Sequence, residues 1–230
     1  MYDSIRLMSG IFDIVYEDSS VLIVNKIAAV PVLPDKSGDT SLKDSLMALR
    51  PGHFFEAAHR LDRRTSGLVS FCKNRHSLAD LSKAFHDRKT RKIYWAVVEN
   101  EPPAPSGTLH HKLVHNKRNN TTKAYAVDDP RDGQDAMLNW ETLGSSERYW
   151  LLAIHPLPGR THQIRAPLSA AGMPVRGDLK YGARRSSHNG LIMLHARELS
   201  FELPDGKKGL RTIKACAEPP DDEPLWQNFS

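Results

Sequence analysis

The sequence predicts an α+β fold, a single mixed α/β domain with a large, mostly antiparallel sheet and helices on its faces. Ten short segments alternate or run apolar in the manner of strands, whereas three segments have the spacing of helices. The connections are short and rich in proline and glycine, as in "PPAPSG" and "DDPRDG". Because no repeat or long linker divides the 230 residues, we expect one domain.

Strands are predicted from alternation or from short apolar runs. They fall at residues 12–16, 21–26, 68–73, 92–99, 123–127, 138–143, 149–155, 191–195, 199–203 and 212–217. The expected domain spans 1–230, with a core from about 11 to 217 and loose ends at 1–10 and 218–230.

Helices are predicted at 41–50, 77–88 and 161–171. Thr40 is the expected cap of the first helix. Leu78, Leu81 and Phe85 form the apolar face of the second. Pro167 either kinks the third helix or lies in its first turn, where proline is tolerated.

The charge is positive and unevenly distributed. The formal net charge is +5 and the pI about 9.2. Residues 59–92 hold ten Lys/Arg against three acids, 102–127 hold four against none, and 156–185 hold six against one. Residues 218–230 reverse the sign, with four acids and no base. This pattern is typical of a nucleic-acid footprint, and equally of a soluble basic protein with an acidic tail.

Two cysteines, Cys72 and Cys216, are too few for a disulfide framework or a metal clip, so we expect buried, reduced thiols. The start of the chain lacks the apolar segment of a signal peptide. No apolar run approaches the ~18 residues that span a bilayer. These features predict a cytoplasmic protein without a membrane partner.

Several chemistries lack their motifs. There is no GxxxxGK[ST] loop, no GxGxxG after a strand, no GxSxG and no HExxH. His111 and His115 have a spacing that could bind a metal on a helix, but their segment is polar and no further ligand completes a site. We therefore expect a solvated or RNA-facing loop there, and no metal or cofactor.

One carboxylate, Asp62, stands in the basic stretch "HRLDRRTSGLV". An aspartate before a turn commonly binds its own backbone. The alternative is a reactive group that neighbouring cations keep ionised. Three other segments favour the second interpretation: "KIYWAVV" at 92–98, "GRTHQIR" at 159–165 and "LIMLHA" at 191–196.

These motifs resemble those of the RluA-type pseudouridine synthases. The resembling segments are "YEDSSVLIVNK", "HRLDRRTSGLV", "RKIYWAVV", "GRTHQIRAPLSAAGMPVRGDLKYG" and "LHARELSFELP", in the family's order. The resemblance implies a central active-site cleft in which a uridine of tRNA or rRNA loses its glycosidic bond, and the base turns and rejoins the sugar through carbon 5. No cofactor is consumed. The alternative is an inactive RNA-binding module or chaperone on the same scaffold.

The resemblance also implies residue roles. Asp62 matches the essential aspartate, as a nucleophile at the sugar or base or as a base that abstracts a sugar proton. Arg165 matches the cation that keeps the carboxylate ionised. Tyr94 matches a tyrosine that stacks on the uracil and accepts the carbon-5 proton. Arg60 would fill the gap left by the flipped base, and Leu194 would form a wall of the pocket.

The remaining predicted substrate contacts are Arg160, His162, Gln163, Lys117 and Arg118. The last two belong to a basic segment, 110–120, that we expect to line the RNA path together with Arg184-Arg185. No extra RNA-binding domain is expected, and the protein is predicted to be a monomer. Two segments depart from the family pattern: "NKIAA" replaces N-K-P-A-G, and "APLSAAG" follows "QIR".

Overall fold

The computed structural model describes residues 10–157, 159–187, 190–206 and 209–229. Its strands are β1 Phe12–Glu17, β2 Val21–Lys26, β3 Glu56–Ala57, β4 Ser66–Cys72, β5 Thr90–Val98, β6 Ser106–Asn116, β7 Thr121–Tyr125, β8 Gln134–Ser145, β9 Trp150–Pro156, β10 Leu194–Pro204 and β11 Leu210–Cys216. Its α-helices are α1 Leu42–Leu49, α2 Arg75–His86 and α3 Arg165–Ala170, and short 3₁₀ helices cover Leu179–Tyr181 and Pro224–Phe229.

The chain divides into two compact units. The first comprises Met1–Lys92 with Ala196–Pro219, and the second comprises Ile93–His195 with Pro220–Ser230. The chain passes from one unit to the other within β5, within β10 and between Pro219 and Pro220.

In the first unit the strands run in the order β1-β2-β4-β10, with β3 beside β4 and β11 beside β10. The β1–β2, β2–β4, β3–β4 and β10–β11 pairs are antiparallel. Val21, Ile23, Leu68 and Phe201 from these strands form a buried cluster with Leu81 of α2. Apolar runs in β2 and β4 and alternation in β10 and β11 therefore predict correctly which side chains are buried.

Two helices of the first unit begin at side-chain caps. Ser41, rather than the predicted Thr40, caps α1, because Asp44 three residues later completes a reciprocal capping box with it. The side chain of Asn74 caps α2 by accepting from the Ser77 amide at 2.8 Å, so this helix starts two residues before the predicted position.

In the second unit the strands run in the order β5-β9-β8-β6-β7, and each neighbouring pair is antiparallel. Strand β6 was not predicted. The segment 110–120, expected to be a loop, instead continues β6 to Asn116 and turns only at 117–120 before β7. His111 and His115 consequently lie on a strand and not on one face of a helix.

Helix α3 resolves the two alternatives for Pro167. The helix starts at Arg165, so the proline occupies its first turn and the chain does not kink there. Leu168 of this helix packs in a buried cluster with Ala96, Leu152 and Ile154.

The C-terminal segment differs from the predicted loose tail. Leu225, Trp226 and Phe229 pack against a buried cluster of Val97 and Leu151 with Met193. Apolar side chains at helical spacing thus anchor the segment despite its acidic charge. The N-terminal prediction concerns residues 1–10, of which 1–9 lie outside the described residues.

The predicted mixed α/β class with an antiparallel sheet is confirmed, and the central cleft stays a prediction. The strand predicted at 191–195 begins only at Leu194 and continues without interruption to Pro204 as β10. Of the two thiols, Cys72 is buried as expected, whereas Cys216 is exposed.

Candidate functional site

Asp62 is half-buried and precedes a tight turn that leads into β4. Its carbonyl accepts a hydrogen bond from the Thr65 amide at 3.0 Å. Gly67, the second residue of β4, has φ of 110°, and a Cβ there would lie 2.4 Å from the Ala196 carbonyl oxygen. Only glycine can occupy that position, so the start of β4, just after the turn, is held close to β10. Arg60 is exposed two residues before Asp62.

Lys26 supports this turn from the core. It is only 1% exposed, and its Nζ donates to the carbonyls of Ile27 at 2.8 Å and Arg63 at 3.3 Å. Burial lowers the pKa of Lys26 to about 7, while the negative charge of Asp62 opposes that shift. The ammonium and the carboxylate therefore interact favourably.

His59 holds the start of the same segment. Its Nε2 accepts a hydrogen bond from the Ser70 amide at 3.0 Å, and its ring lies 4.7 Å from that of Phe85. Burial, with a smaller contribution from the charge of Lys92, lowers the pKa of His59 to about 3. The imidazole is therefore neutral at physiological pH, as an acceptor nitrogen must be.

The segment "NKIAA" contacts the turn as well. Nε of Arg63 donates to the Ala29 carbonyl at 2.9 Å, and its guanidinium pairs with Asp39. Ala29 has φ of 68°, a left-handed conformation that favours glycine. Ala29 thus adopts a backbone conformation that favours glycine at the position where the resembling motif has glycine.

In the second unit, Arg165 is fixed by a buried ion pair. Its Nε and one terminal nitrogen donate to the two carboxylate oxygens of Asp178 at 2.7 and 2.8 Å. The side chains are 6% and 0% exposed. A bidentate pair sets both the position and the plane of the guanidinium. Gly177, with φ of 83°, precedes Asp178 where a Cβ would lie 2.3 Å from the Leu191 carbonyl oxygen.

The phenol of Tyr181 joins three segments near Arg165. Its oxygen accepts from the Thr122 amide at 2.7 Å and lies 2.7 Å from His162 Nδ1. The Thr122 hydroxyl donates to the Thr161 carbonyl at 3.2 Å and contacts His115 Nδ1 at 3.0 Å. Burial raises the pKa of Tyr181, so the phenol stays protonated. His162 has φ of 54°, a strained conformation that this network stabilises.

Gln163 and Arg160 form a local turn. The Gln163 side-chain oxygen accepts from the Arg160 amide at 2.7 Å, and its amide nitrogen donates to the Met137 carbonyl at 3.1 Å. Gln163 is buried, whereas Arg160 is exposed. The glutamine therefore shapes the chain before α3, and the arginine faces solvent.

Tyr94 lies on β5 as predicted, where it pairs with Ile154 of β9 and is partly buried. Leu194 is 3% exposed and belongs to the apolar cluster against which Tyr94 packs. The predicted pocket wall is therefore also a core residue.

Lys117 and Arg118 are exposed at the turn of the β6–β7 hairpin. Lys180 tethers this turn, because its Nζ donates to the carbonyls of Asn119 at 3.1 Å and Asn120 at 2.7 Å. The hairpin thus presents two cations to solvent from an anchored backbone.

Two predicted site residues, Arg60 and Asp62, lie in the first unit, and the other eight lie in the second. The sequence interpretation did not assign roles to Lys26, His59, Asp178 and Tyr181. Asp178 carried a detectable signal as the single acid in a stretch of six Lys/Arg. Among the described residues there is no group of three potential metal ligands, and no described helix could cross a membrane.

Comparisons agree with the sequence motifs. A family model described as RNA pseudouridylate synthase matches residues 20–170. An uncharacterized RNA pseudouridine synthase of Zymomonas mobilis is 32% identical over 82% of this chain and 86% of its own length. Ribosomal large subunit pseudouridine synthase C of Vibrio parahaemolyticus is 32% identical over 83% of this chain, which spans 61% of that protein.

A solved structure, human RNA pseudouridylate synthase domain containing 1, is 25% identical with a TM-score of 0.73. The match covers 100% of this chain and 90% of that one. Both the fold and the resemblance stated from the sequence are thereby confirmed.

Proposed function

Because the chain belongs to the RNA pseudouridylate synthase family, we propose that it isomerises particular uridines of tRNA, ribosomal RNA or both. One observation carries the proposal: the family match over residues 20–170 includes Asp62, Tyr94 and Arg165. The reaction breaks a glycosidic C–N bond and forms a C–C bond within one nucleotide. It needs no oxidant and no cofactor.

Asp62 is the proposed essential carboxylate. The buried Lys26 and the close packing of Gly67 support this role, because Lys26 donates to the Arg63 carbonyl directly after Asp62 and Gly67 fixes the strand that follows. Tyr94 is proposed to stack on the uracil and to take the carbon-5 proton. Arg165 is the proposed catalytic cation, and its pairing with Asp178 supports that role by fixing its plane.

Arg60, Arg160, Lys117 and Arg118 are proposed RNA contacts, since all four are exposed cations. Leu194 is proposed to line the base pocket from its place in the core. His162 and Gln163 were predicted to contact substrate, but both are buried and hydrogen-bonded within the chain. We now propose that they shape the site from behind.

Tritium release tests the activity. RNA labelled at uracil carbon 5 loses its label to water when pseudouridine forms. Asp62→Asn should abolish release while the protein stays folded. Asp87→Asn removes an equal charge from an exposed pair with Lys83 on α2 and should leave release unchanged. Release by Asp62→Asn at the wild-type rate would contradict the proposal.

The same assay distinguishes the target and the alternative function. Transfer RNA and large-subunit ribosomal RNA are labelled separately, and pseudouridines are mapped in RNA from cells with and without the gene. An inactive RNA-binding module predicts tight binding to either RNA without release from any. Replacing Lys117 and Arg118 with alanine should weaken binding and flatten its salt dependence, because each lost phosphate contact removes counterion release. Lys36→Ala with Arg75→Ala is the charge-matched control at other exposed positions.

We also propose that the protein acts as a cytoplasmic monomer. The free thiols of Cys72 and Cys216 support a reducing compartment. Light scattering after gel filtration tests the oligomeric state, and a dimer mass at micromolar concentration would contradict it. Fractionation of cells tests the compartment.

A further inference from the structure

We propose that Tyr181 is a positioning residue that couples the β6–β7 hairpin to Arg165. The inference rests on the proposed function and deepens it. It states that RNA contact with the hairpin and the catalytic placement of the guanidinium depend on each other through one buried phenol.

Tyr181 contacts Arg165 through its ring. The guanidinium carbon lies 4.9 Å from the centre of the Tyr181 ring, within the range of a cation–π interaction. Asp178 holds the same guanidinium through two hydrogen bonds. The Tyr181 amide in turn donates to the Asp178 carbonyl at 2.9 Å. One short segment therefore supplies both the carboxylate and the ring that set the position of Arg165.

Tyr181 contacts the hairpin through its hydroxyl group. The phenol oxygen accepts the amide of Thr122, the second residue of β7. The same oxygen lies 2.7 Å from Nδ1 of His162, which is three residues before Arg165. The phenol therefore contacts both the hairpin and the segment that leads to Arg165. Thr122 and Tyr181 are 3% and 8% exposed, so these hydrogen bonds are shielded from water.

The residue before Tyr181 contacts the turn of the hairpin. Lys180, next to Tyr181, donates to the carbonyls of Asn119 and Asn120. These residues follow directly after the two exposed cations of the turn. Hence the 3₁₀ segment Leu179–Tyr181 contacts the hairpin at its turn and at β7, while its ring contacts Arg165. A phosphate drawn to the turn cannot shift the hairpin without stressing the hydrogen bonds of the phenol.

Tyr181→Phe tests the coupling, because it keeps the ring over Arg165 and removes only the hydroxyl. We expect the single-turnover rate at saturating RNA to fall about tenfold, while the dissociation constant for RNA stays within about twofold. Tyr149→Phe is the matched control, since the Tyr149 ring also lies over an arginine, Arg176, at 5.5 Å. It should change neither quantity.

A double-mutant cycle separates coupling from a general structural role. Lys117→Ala with Arg118→Ala is combined with Tyr181→Phe, and single-turnover rates are measured for all combinations at saturating RNA. Coupling predicts that the hairpin changes lower the rate in the wild type but have little further effect once the hydroxyl is gone. Multiplicative effects would overturn the inference, as would an unchanged rate for Tyr181→Phe.

If Tyr181→Phe does not fold, Lys180→Met serves instead. It keeps the length of an exposed side chain and removes the two hydrogen bonds that join the hairpin turn to the Tyr181 segment. It should lower the rate at saturating RNA, and a loss of binding with an unchanged rate would overturn the inference. Wild-type protein that releases no tritium contradicts the proposed function itself, whereas active wild type with an unaffected Tyr181→Phe contradicts only the coupling.

Discussion

The buried pair between Arg165 and Asp178 gives the sharpest stability prediction. The perturbation is Asp178→Asn, which keeps the size of the side chain and removes its charge. The carboxylate accepts two hydrogen bonds from the guanidinium, at 2.7 and 2.8 Å. An asparagine oxygen can keep one of them, but its NH₂ group would face a donor nitrogen of Arg165.

The size of the effect follows from burial. The two side chains are 0% and 6% exposed, so solvent screening does not weaken the pair. Removing one partner of a buried ion pair typically costs about 3–5 kcal/mol, because the other charge stays buried without its counter-charge. Asn retains part of the hydrogen bonding, so we expect a loss of about 3 kcal/mol in the free energy of unfolding.

Urea unfolding at pH 7, followed by tryptophan fluorescence, measures this loss. With a slope of about 2 kcal/mol per molar urea, the midpoint should fall by roughly 1.5 M. Asp87→Asn breaks an exposed pair between Lys83 of α2 and the residue that follows the helix, and should leave the midpoint almost unchanged. A loss below about 1 kcal/mol for Asp178→Asn would refute the reasoning, because Arg165 would then tolerate the missing carboxylate.

Three further predictions concern the free energy of unfolding and can be measured by urea unfolding. Gly177→Ala should cost at least about 2 kcal/mol, because its Cβ would lie 2.3 Å from the Leu191 carbonyl oxygen at a positive φ; wild-type stability would contradict this. Ala29→Gly should stabilise by up to about 1 kcal/mol by relieving its φ of 68°; a net loss would show that unfolded-state entropy dominates. Below pH 6.5 the unfolded chain protonates His59 while the folded pKa stays about 3, so stability should fall as pH drops. His59→Gln, which can still accept the Ser70 amide, should flatten that dependence, and an unchanged slope would contradict it.

The sequence predicted the strands in which apolar residues form a run or a regular alternation. In β2 and β4 apolar residues dominate and nearly every side chain is buried, so the apolar run is visible directly. Strand β6 was missed because its exposed and half-exposed positions alternate among polar residues, including His110, His111 and Lys112. Only Leu109 and Leu113 of β6 pack against apolar clusters, and polar residues fill the positions around them, so the strand carries too few apolar residues to show its period.

The catalytic candidates were identified from their motifs, but their supports were not. Arg165 and Asp178 are thirteen residues apart, and Tyr181 meets Thr122 across fifty-nine. Such pairs arise from the packing of α3 against β6 and β7, which no local pattern encodes. The cap of α1 shows the same limit at short range, since Thr40 and Ser41 are both good caps and only the reciprocal bond with Asp44 selects the serine.

The packed C-terminal helix has a practical consequence for anyone who shortens the chain. Deleting residues 218–230 removes four acids and no bases, which would raise the formal net charge from +5 to +9. It would also expose the apolar surface that Trp226 and Phe229 cover. The shortened protein would therefore self-associate more readily and bind polyanions in a lysate nonspecifically. Its apparent RNA affinity would then no longer report specific binding.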